Sequence, residues 1–344
     1  MKFLKSVAKT LGAIAASGVA LAAMAQVPVL NYVVVDNLGH LPMIVGAEKG
    51  IFKAHGLDVK LKIVKSGTEI VNAINNKEAN GGNMGVTTFI KGRQGGQMVS
   101  VFAQSMNDAT RANADDPLAI IARAGSGIKS DDIGSLKGKK IGVWFEQTPD
   151  EYLKIVLSKA GLKPSDVELV NIKSNPDLIP QLADAKVDAV VSLEPWNTLI
   201  LAKVPGAFLV KRGGGYMSYM MVSTFTDETI KAQPDLIQKF ALGLAASSHY
   251  TRSHRAEAVE LFAKAVPGVD IAITKEAVKH LSYDPRVSNT NMTSFNTAQD
   301  LLIQLGSSTA DKRLDLSKVV LGDVMQKIEK SHPQYFSDLK SVAY

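Results

Sequence analysis

Small polar residues stand where several helices are predicted to begin, and there they could bind an anion. Ser66-Gly67-Thr68 opens one helix, Gln147 and Thr148 open another, and Thr87 and Thr88 lie in the loop expected after a short strand. The first backbone N–H groups of a helix have no partner within the helix, so they and nearby hydroxyls can hold a negative group. Small polar residues also cap helices, so their positions alone leave both roles open.

Two loops that follow predicted strands carry further side chains that could contact a small molecule. We expect Trp196 to form a wall of a ligand pocket, because a wide ring can cover an apolar part of a solute. Trp144 lies inside a predicted strand, so we expect it in the core. The candidate ligand contacts in these loops are Asn37, Leu38, His40, Glu194 and Trp196.

Three carboxylates are also predicted near the carboxyl ends of strands: Asp36, Glu146 and Glu194. A pocket for a bare anion should not collect carboxylates, since like charges repel strongly where water is excluded. If one of them points inward, the ligand should offer a hydrogen-bond donor such as an amine or a ring N–H. The alternative is that they cap helices or lie at a hinge and face solvent.

The sequence lacks the spacings of known catalytic and metal sites. It has no Gly-x-Ser-x-Gly, Walker or His-Glu-x-x-His pattern and no cysteine, and its 6 histidines are scattered. Of the net charge of +6, three charges are Lys2, Lys5 and Lys9 near the N-terminus, and the remaining +3 is spread without a basic stripe, which argues against nucleic-acid binding. We therefore predict no catalytic residue, no metal, no cofactor and no nucleic-acid partner.

The first 25 residues predict a signal peptide. Lysines precede an apolar stretch from Leu11 to Ala23, and Ala23-Met24-Ala25 fits the small-x-small cleavage rule. This stretch is shorter than the roughly 20 residues that span a bilayer, so export is favoured over a membrane anchor. Because no cysteine follows that could carry a lipid, we expect an unlipidated periplasmic protein that starts at Gln26.

The rest of the chain repeats one pattern twice: strand, loop, helix, glycine, strand, helix and strand. The first copy starts with a strand at residues 30–35 and the second with a strand at 140–145. Gly50 and Gly161 follow the first helix of each copy, where a left-handed residue lets the chain turn back into a parallel strand. The pattern predicts two α/β lobes whose ligand crevice lies outside the carboxyl ends of the strands.

The segment after residue 222 is predicted to be nearly all helical and to pack on the first lobe. We therefore expect residues 26–118 and 222–344 to form lobe 1, and residues 119–221 to form lobe 2 as an insertion. Two crossing strands, near residues 119–123 and 220–224, would act as the hinge. The alternative is a pair of tandem α/β domains with unrelated roles.

Five segments carry a resemblance to a known family: LPMIVGAEKGIFKAHGLDVKL, SGTEIVNAINNKEAN, DIGSLKGKKIGVWF, LSKAGLKPSDVELV and AKVDAVVSLEPW. Together they resemble the periplasmic solute-binding proteins of bacterial ABC importers, in the group that binds aliphatic sulfonates, nitrate, taurine and pyrimidine precursors of thiamine. The chain departs from that family at Glu78-Ala79-Asn80, where a Gly-x-x-Asp turn is usual. It also lacks the cysteine-rich signature of pyrimidine-synthesising relatives, which argues against that enzymatic branch.

The resemblance implies an α/β, two-lobe periplasmic-binding-protein-like fold of type II, in which each lobe is a mostly parallel sheet flanked by helices. It implies a monomer that is not an enzyme. Such a protein captures a sulfonate-, taurine- or nitrate-like anion or zwitterion by hinge closure and passes it to an inner-membrane permease with a cytoplasmic ATPase. The alternatives are a pyrimidine-type thiamine precursor or an aromatic acid as ligand, a pyrimidine-synthase-like enzyme, and a binding protein that serves a receptor.

Overall fold

The computed structural model describes residues 27–344, so the predicted signal peptide and its cleavage site lie outside the described residues. Strands and helices alternate through the first two thirds of this part of the chain. The strands are β1 Val29–Val35, β2 Asp58–Val64, β3 Gly81–Gly85, β4 Val99–Met106, β5 Leu118–Ala122, β6 Lys140–Val143, β7 Glu168–Asn171, β8 Ala189–Leu193, β9 Phe208–Arg212 and β10 Met221–Thr226.

The last third is helical, as predicted. The helices are α1 Leu41–Glu48, α2 Ile51–Ala54, α3 Gly67–Asn75, α4 Val86–Gln94, α5 Thr148–Lys159, α6 Leu178–Ala183, α7 Trp196–Lys203, α8 Asp227–Ala232, α9 Pro234–Ser253, α10 Arg255–Ala265, α11 Ile271–Ala277, α12 Asn289–Gln304, α13 Leu316–Val319 and α14 Asp323–Ser331. Within residues 27–344, no helix is both long and apolar enough to span a bilayer.

The strands form two mixed 5-stranded sheets with the same design. The first sheet has the order β2-β1-β3-β10-β4, and the second has the order β7-β6-β8-β5-β9. In each sheet the fourth strand in this order runs antiparallel to both of its neighbours, and the other strands share one direction. The repeated pattern of the sequence therefore appears as a repeated, mostly parallel topology. We call the first sheet with its helices lobe 1 and the second lobe 2.

The chain passes between the lobes just before each of the two antiparallel strands. Strand β5 follows β4 of lobe 1 along the chain and joins the lobe 2 sheet, whereas β10 follows β9 of lobe 2 and joins the lobe 1 sheet. The chain therefore crosses between the sheets before β5 and again before β10. The lobe boundaries at residues 118/119 and 221/222, and rotation about these crossings, stay predictions.

Both faces of the lobe 1 sheet are buried, and β1 shows why its run of apolar residues forms a strand there. Leu30, Tyr32 and Val34 pack into one hydrophobic cluster, and Val33 and Val35 pack into another. Successive side chains of a strand point to opposite faces, so the part of β1 that is covered on both faces, residues 32–35, is apolar throughout. Helices from the C-terminal third complete both clusters.

The glycine prediction is confirmed, since Gly50 and Gly161 adopt left-handed φ angles of 67° and 75°. Other details differ from the predictions. Strand β6 ends at Val143 and not at residue 145, and Thr87 and Thr88 lie in the first turn of α4 and not in a loop. The C-terminal helices also do not contact lobe 1 alone, because α11 packs against α7 of lobe 2.

Candidate functional site

A small cavity lies between the lobes at the carboxyl ends of β1, β3, β6 and β8. We call it the inner cavity; its volume is about 30 Å³. Lobe 1 lines it with Val35, Asn37, His40, Gly67, Met84, Gly85 and Thr88, lobe 2 with Trp144, Gln147, Thr148, Pro149 and Leu193, and the second crossing with Tyr219 and Met221.

Direct hydrogen bonds between the lobes surround the inner cavity. The side-chain oxygen of Gln147 accepts from the backbone N–H of Gly67 at 3.3 Å, and its Nε2 donates to Thr68 Oγ1 at 3.3 Å. The hydroxyls of Thr87 and Thr148 are 3.3 Å apart. Each contact joins a helix start in lobe 1 to the start of α5 in lobe 2. The structure is therefore a closed conformation in which the lobes touch each other.

A larger pocket of about 420 Å³, which we call the outer pocket, lies next to the inner cavity and shares Thr88 and Gln147 with it. Lys91 of lobe 1 crosses this pocket, and its Nζ lies 2.8 Å from Glu151 Oε1 and 2.9 Å from the carbonyl oxygen of Glu146. The side chain of Glu151 is only 2% exposed. Burial raises the pKa of Glu151, and the ammonium of Lys91 opposes that shift. This ion pair joins the two lobes.

Two buried polar groups at the inner cavity have no hydrogen-bond partner within the described part of the chain. They are Nε2 of His40 and the hydroxyl of Tyr219. The other ring nitrogen of His40, Nδ1, lies 3.0 Å from Nδ2 of Asn83. Burial lowers the pKa of His40 to about 3, so the ring is neutral at physiological pH. Burial likewise raises the pKa of Tyr219, which keeps its phenol protonated.

Seven of the twelve residues predicted from the sequence line one of the two pockets. Thr68, Thr88 and Gln147 line the outer pocket. The predicted residues that line the inner cavity are Asn37, His40, Gly67, Thr88, Gln147 and Thr148. Whether any of these seven side chains contacts a ligand stays a prediction.

The remaining predicted residues lie elsewhere. Leu38 is fully buried in the core, Ser66 caps α3 through the backbone N–H of Glu69, and Thr87 contacts the other lobe through Thr148. Trp196 does not line the inner cavity: it is 2% exposed and belongs to a third hydrophobic cluster, which includes residues of α7, α10 and α11. The sequence around Trp196 does not reveal that residues of α10 and α11 join this cluster.

The other tryptophan, Trp144, was predicted to lie in the core, and the structure places it at the inner cavity instead. Trp144 is half-buried and lines the inner cavity, because β6 ends one residue earlier and the chain leaves the sheet at that point. Sequence reasoning also missed Tyr219, Lys91 and Glu151. The position of Tyr219 just before a crossing strand could have indicated it, but no local pattern pairs Lys91 with Glu151.

The three carboxylates expected near the cleft do not enter the inner cavity. Glu194 forms an ion pair with Arg212 at 2.5 Å within lobe 2 and accepts from the backbone N–H of Thr198. Asp36 is buried 3.6 Å from Nζ of Lys65, and Glu146 lies at the outer pocket. None of the three lines the inner cavity, so the condition under which the ligand should offer a donor is not met there. Among the described residues, no group of three or more metal-ligating side chains converges.

The low pKa of His40 leads to a testable pH dependence. The unfolded chain takes up a proton near pH 6.5 and the folded chain only near 3, so stability falls as the pH drops below about 6.5. Between pH 7.5 and pH 5, the free energy of unfolding should fall by up to about 2 kcal/mol more for wild type than for His40→Gln. Urea unfolding of both proteins at the two pH values measures this. Equal losses would show that His40 is not held neutral.

Two lobes with a closed cleft between them define the class of protein: a two-lobe periplasmic-binding-protein fold. The aliphatic sulfonate-binding protein SsuA of Escherichia coli matches it with a TM-score of 0.71 and 17% identity, over 87% of this chain and 99% of that chain. The nitrate-binding protein NrtA of Synechocystis PCC 6803 matches with a TM-score of 0.72 and 12% identity, over 92% of each chain. These similarities confirm the predicted fold.

The family is shown by the sequence itself. The model described as "NMT1/THI5 like" matches residues 37–258, which is more than half of the chain, so the chain belongs to the NMT1/THI5-like family. A protein of Brucella abortus (strain 2308) named as a binding protein is 25% identical over 244 residues, 70% of this chain and 72% of that protein. A 4-amino-5-hydroxymethyl-2-methylpyrimidine phosphate synthase of Saccharomyces cerevisiae is 23% identical over 233 residues, 61% of this chain and 63% of the synthase.

Proposed function

We propose that the protein is the solute-binding component of an ABC importer, which captures a small organic solute without transforming it. The observation that supports this most directly is the position of the inner cavity at the carboxyl ends of strands from both lobes. A solute at that position contacts both lobes only when they are closed, so its binding favours the closed conformation. The cavity is small, at about 30 Å³, so an organic solute would enter while the lobes are apart, and the cavity would widen around it.

The proposed solute is a sulfonate-, taurine- or nitrate-like anion or zwitterion. The helix starts at Gly67 and Thr148 border the cavity, and helix N-termini favour negative groups. A pyrimidine-type or aromatic-acid solute is the second candidate. The side chain of Trp144 on the cavity wall favours it, since flat rings pack well against an indole.

The setting of this function is part of the same proposal. The chain would be exported by the signal peptide at residues 1–25 and would act in the periplasm as a monomer. It would deliver its solute to an inner-membrane permease, and the binding proteins of similar fold and the Brucella relative support this assignment. A role as an enzyme would require turnover of the bound solute, which the proposal excludes.

The proposal predicts that one class of small solute stabilises and closes the mature chain. Thermal shift and then calorimetry would compare methanesulfonate, taurine, nitrate, benzoate and 4-amino-5-hydroxymethyl-2-methylpyrimidine. Saturation with the tightest of these should decrease the radius of gyration measured by small-angle scattering, relative to an open ligand-free population. Mass spectrometry after incubation should show every compound unchanged, because a new product would instead favour an enzyme.

Gly85→Leu provides a variant that blocks closure. A Cβ at Gly85 would lie 3.0 Å from Oγ1 of Thr148, so a leucine there would hold the lobes apart. Gly85 has an ordinary negative φ of −61°, so the backbone tolerates a side chain. The variant should keep the far-UV circular dichroism of wild type and lose binding. Wild-type affinity in Gly85→Leu would contradict binding between the closed lobes.

A further inference from the structure

A chain of buried hydrogen bonds determines how Asn83 is oriented behind the inner cavity. The hydroxyl of Ser105 donates to the carbonyl oxygen of Gly39 at 2.6 Å, so the Ser105 oxygen can only accept from its other neighbour. That neighbour is Nδ2 of Asn83. On the opposite side, the hydroxyl of Ser223 donates to Oδ1 of Asn83 at 3.3 Å. Both contacts orient the amide in the same way.

The oriented amide in turn selects the tautomer of His40. Nδ2 of Asn83 is a donor only, so Nδ1 of His40, 3.0 Å away, must accept with its lone pair. A neutral imidazole carries one proton, which must then be on Nε2. His40 is 0% exposed, and within residues 27–344 its Nε2 has no partner. The result is a neutral N–H donor that lines the inner cavity.

The other polar side chains at the inner cavity are uncharged and can also donate hydrogen bonds. The hydroxyl of Tyr219 is buried without a partner in the described residues. The side-chain oxygens of Asn37 and Gln147 already accept from the backbone N–H groups of Gly39 and Gly67. No Lys, Arg, Asp or Glu is among the described residues that line this cavity. Among the residues that line it, the fully buried groups without a partner are therefore neutral: Nε2–H of His40 and the hydroxyl of Tyr219.

From this geometry we infer that the inner cavity selects a solute by a hydrogen-bond acceptor placed at Nε2–H of His40 and the hydroxyl of Tyr219. The inference also assigns to Asn83, which does not line the cavity, the role of a positioning residue that keeps the proton on Nε2. It rests on the proposed function and specifies the chemistry of the solute. An oxyanion, a carbonyl or an unprotonated ring nitrogen would be accepted. A group that offers only N–H could donate to the oxygen of Tyr219 but would leave Nε2–H of His40 unpaired, which costs binding free energy.

The tautomer can be measured before any solute is known. In ¹⁵N NMR spectra of histidine-labelled protein at pH 7.5, His40 should show a protonated Nε2 and an unprotonated Nδ1. Asn83→Asp offers a carboxylate to Nδ1, so it should move the proton to Nδ1 or charge the ring. Ser223→Ala, which removes only the contact on the far side of Asn83, should leave the tautomer unchanged. A wild-type ring with its proton on Nδ1 would overturn the inference, whether or not the variants fold.

Selectivity is tested with two pairs of probes of similar size: methanesulfonate against methylammonium, and pyridine against pyrrole. Methanesulfonate and pyridine, which offer an acceptor, should each bind at least roughly tenfold more tightly than their partner compound. They should also shift the Nε2–H signal of His40. Asn83→Asp should remove that preference where its ¹⁵N spectrum shows Nε2 without a proton, and should keep it where the ring is charged, because a charged ring retains Nε2–H. Ser223→Ala should keep the preference. Tighter binding of pyrrole or methylammonium would overturn the inference.

The two proposals can fail separately. A His40 ring with its proton on Nδ1, in a protein that still binds a compound of the solute panel, overturns this inference alone. A His40 ring with its proton on Nε2, in a protein that binds neither the panel nor the probes, overturns the proposed function and with it solute selection, but not the positioning role of Asn83.

Discussion

Replacing Trp196 with alanine is expected to lower the free energy of unfolding by about 3–5 kcal/mol. The ring is 2% exposed and lies in a cluster with residues of α7, α10 and α11, so its removal leaves a cavity that its neighbours cannot fill without moving. Urea unfolding monitored by circular dichroism measures the loss. If the cost were below about 1 kcal/mol, Trp196 would not be part of a packed core.

Trp144 provides the matched comparison for this prediction. Trp144→Ala should cost much less stability, because the side chain is half-buried at the inner cavity. It should instead reduce the affinity for the tightest-binding compound of the solute panel by about thirtyfold, since an indole contact of this size contributes roughly 2 kcal/mol. Phe145→Ala, at the neighbouring residue that is 38% exposed, should change neither quantity. Equal loss of stability in the two tryptophan variants would contradict the assignment.

Replacing Lys91 with alanine is expected to destabilise the closed conformation by about 2–5 kcal/mol relative to the open one. The variant leaves the carboxylate of Glu151, only 2% exposed, without the ammonium that compensates its charge. Opening of the lobes hydrates Glu151, so the variant should have a larger radius of gyration than wild type without solute. Affinity for the tightest panel compound should fall by about thirtyfold or more.

Lys154→Ala is the control that separates an effect between lobes from a local effect of charge. Lys154 and Lys91 are 25% and 26% exposed, and each pairs at 2.8 Å with a buried carboxylate in the first turn of α5. Lys154, however, pairs with Asp150 on its own helix, so its contact is unchanged when the lobes separate. We expect little change in the radius of gyration for Lys154→Ala. A similar opening in both variants would show that Lys91 does not hold the lobes together.

A double-mutant cycle gives the strength of the contact between the lobes. If Lys91 and Glu151 interact across the outer pocket, adding Glu151→Ala to Lys91→Ala should restore part of the closed population, because no buried charge is then left unpaired. Independent, additive effects of the two substitutions would contradict the pairing.

The amino-acid sequence by itself determined the architecture of this protein. Hydrophobic runs such as Leu30–Val35, the glycines at 50 and 161, and small polar helix starts are local signals, and they occur twice in the same order. Local signals of this kind decide which segments become strands or helices and where the chain turns. Since ligand crevices lie at the carboxyl ends of parallel strands, the same signals also placed Asn37, His40 and Thr148 near the cleft.

Only the tertiary structure decided which side chains face the cavity and which protons they present. Trp144 and Trp196 both follow strands but differ in burial. Strand β6 ends before Trp144, which leaves it at the cavity, whereas Trp196 joins a cluster with residues of the C-terminal helices. Lys91 and Glu151 are 60 residues apart, and the tautomer of His40 depends on Asn83, 43 residues away. Periodicity reports only the structure of a segment itself, whereas burial, ion pairing and hydrogen bonding depend on segments that folding brings together.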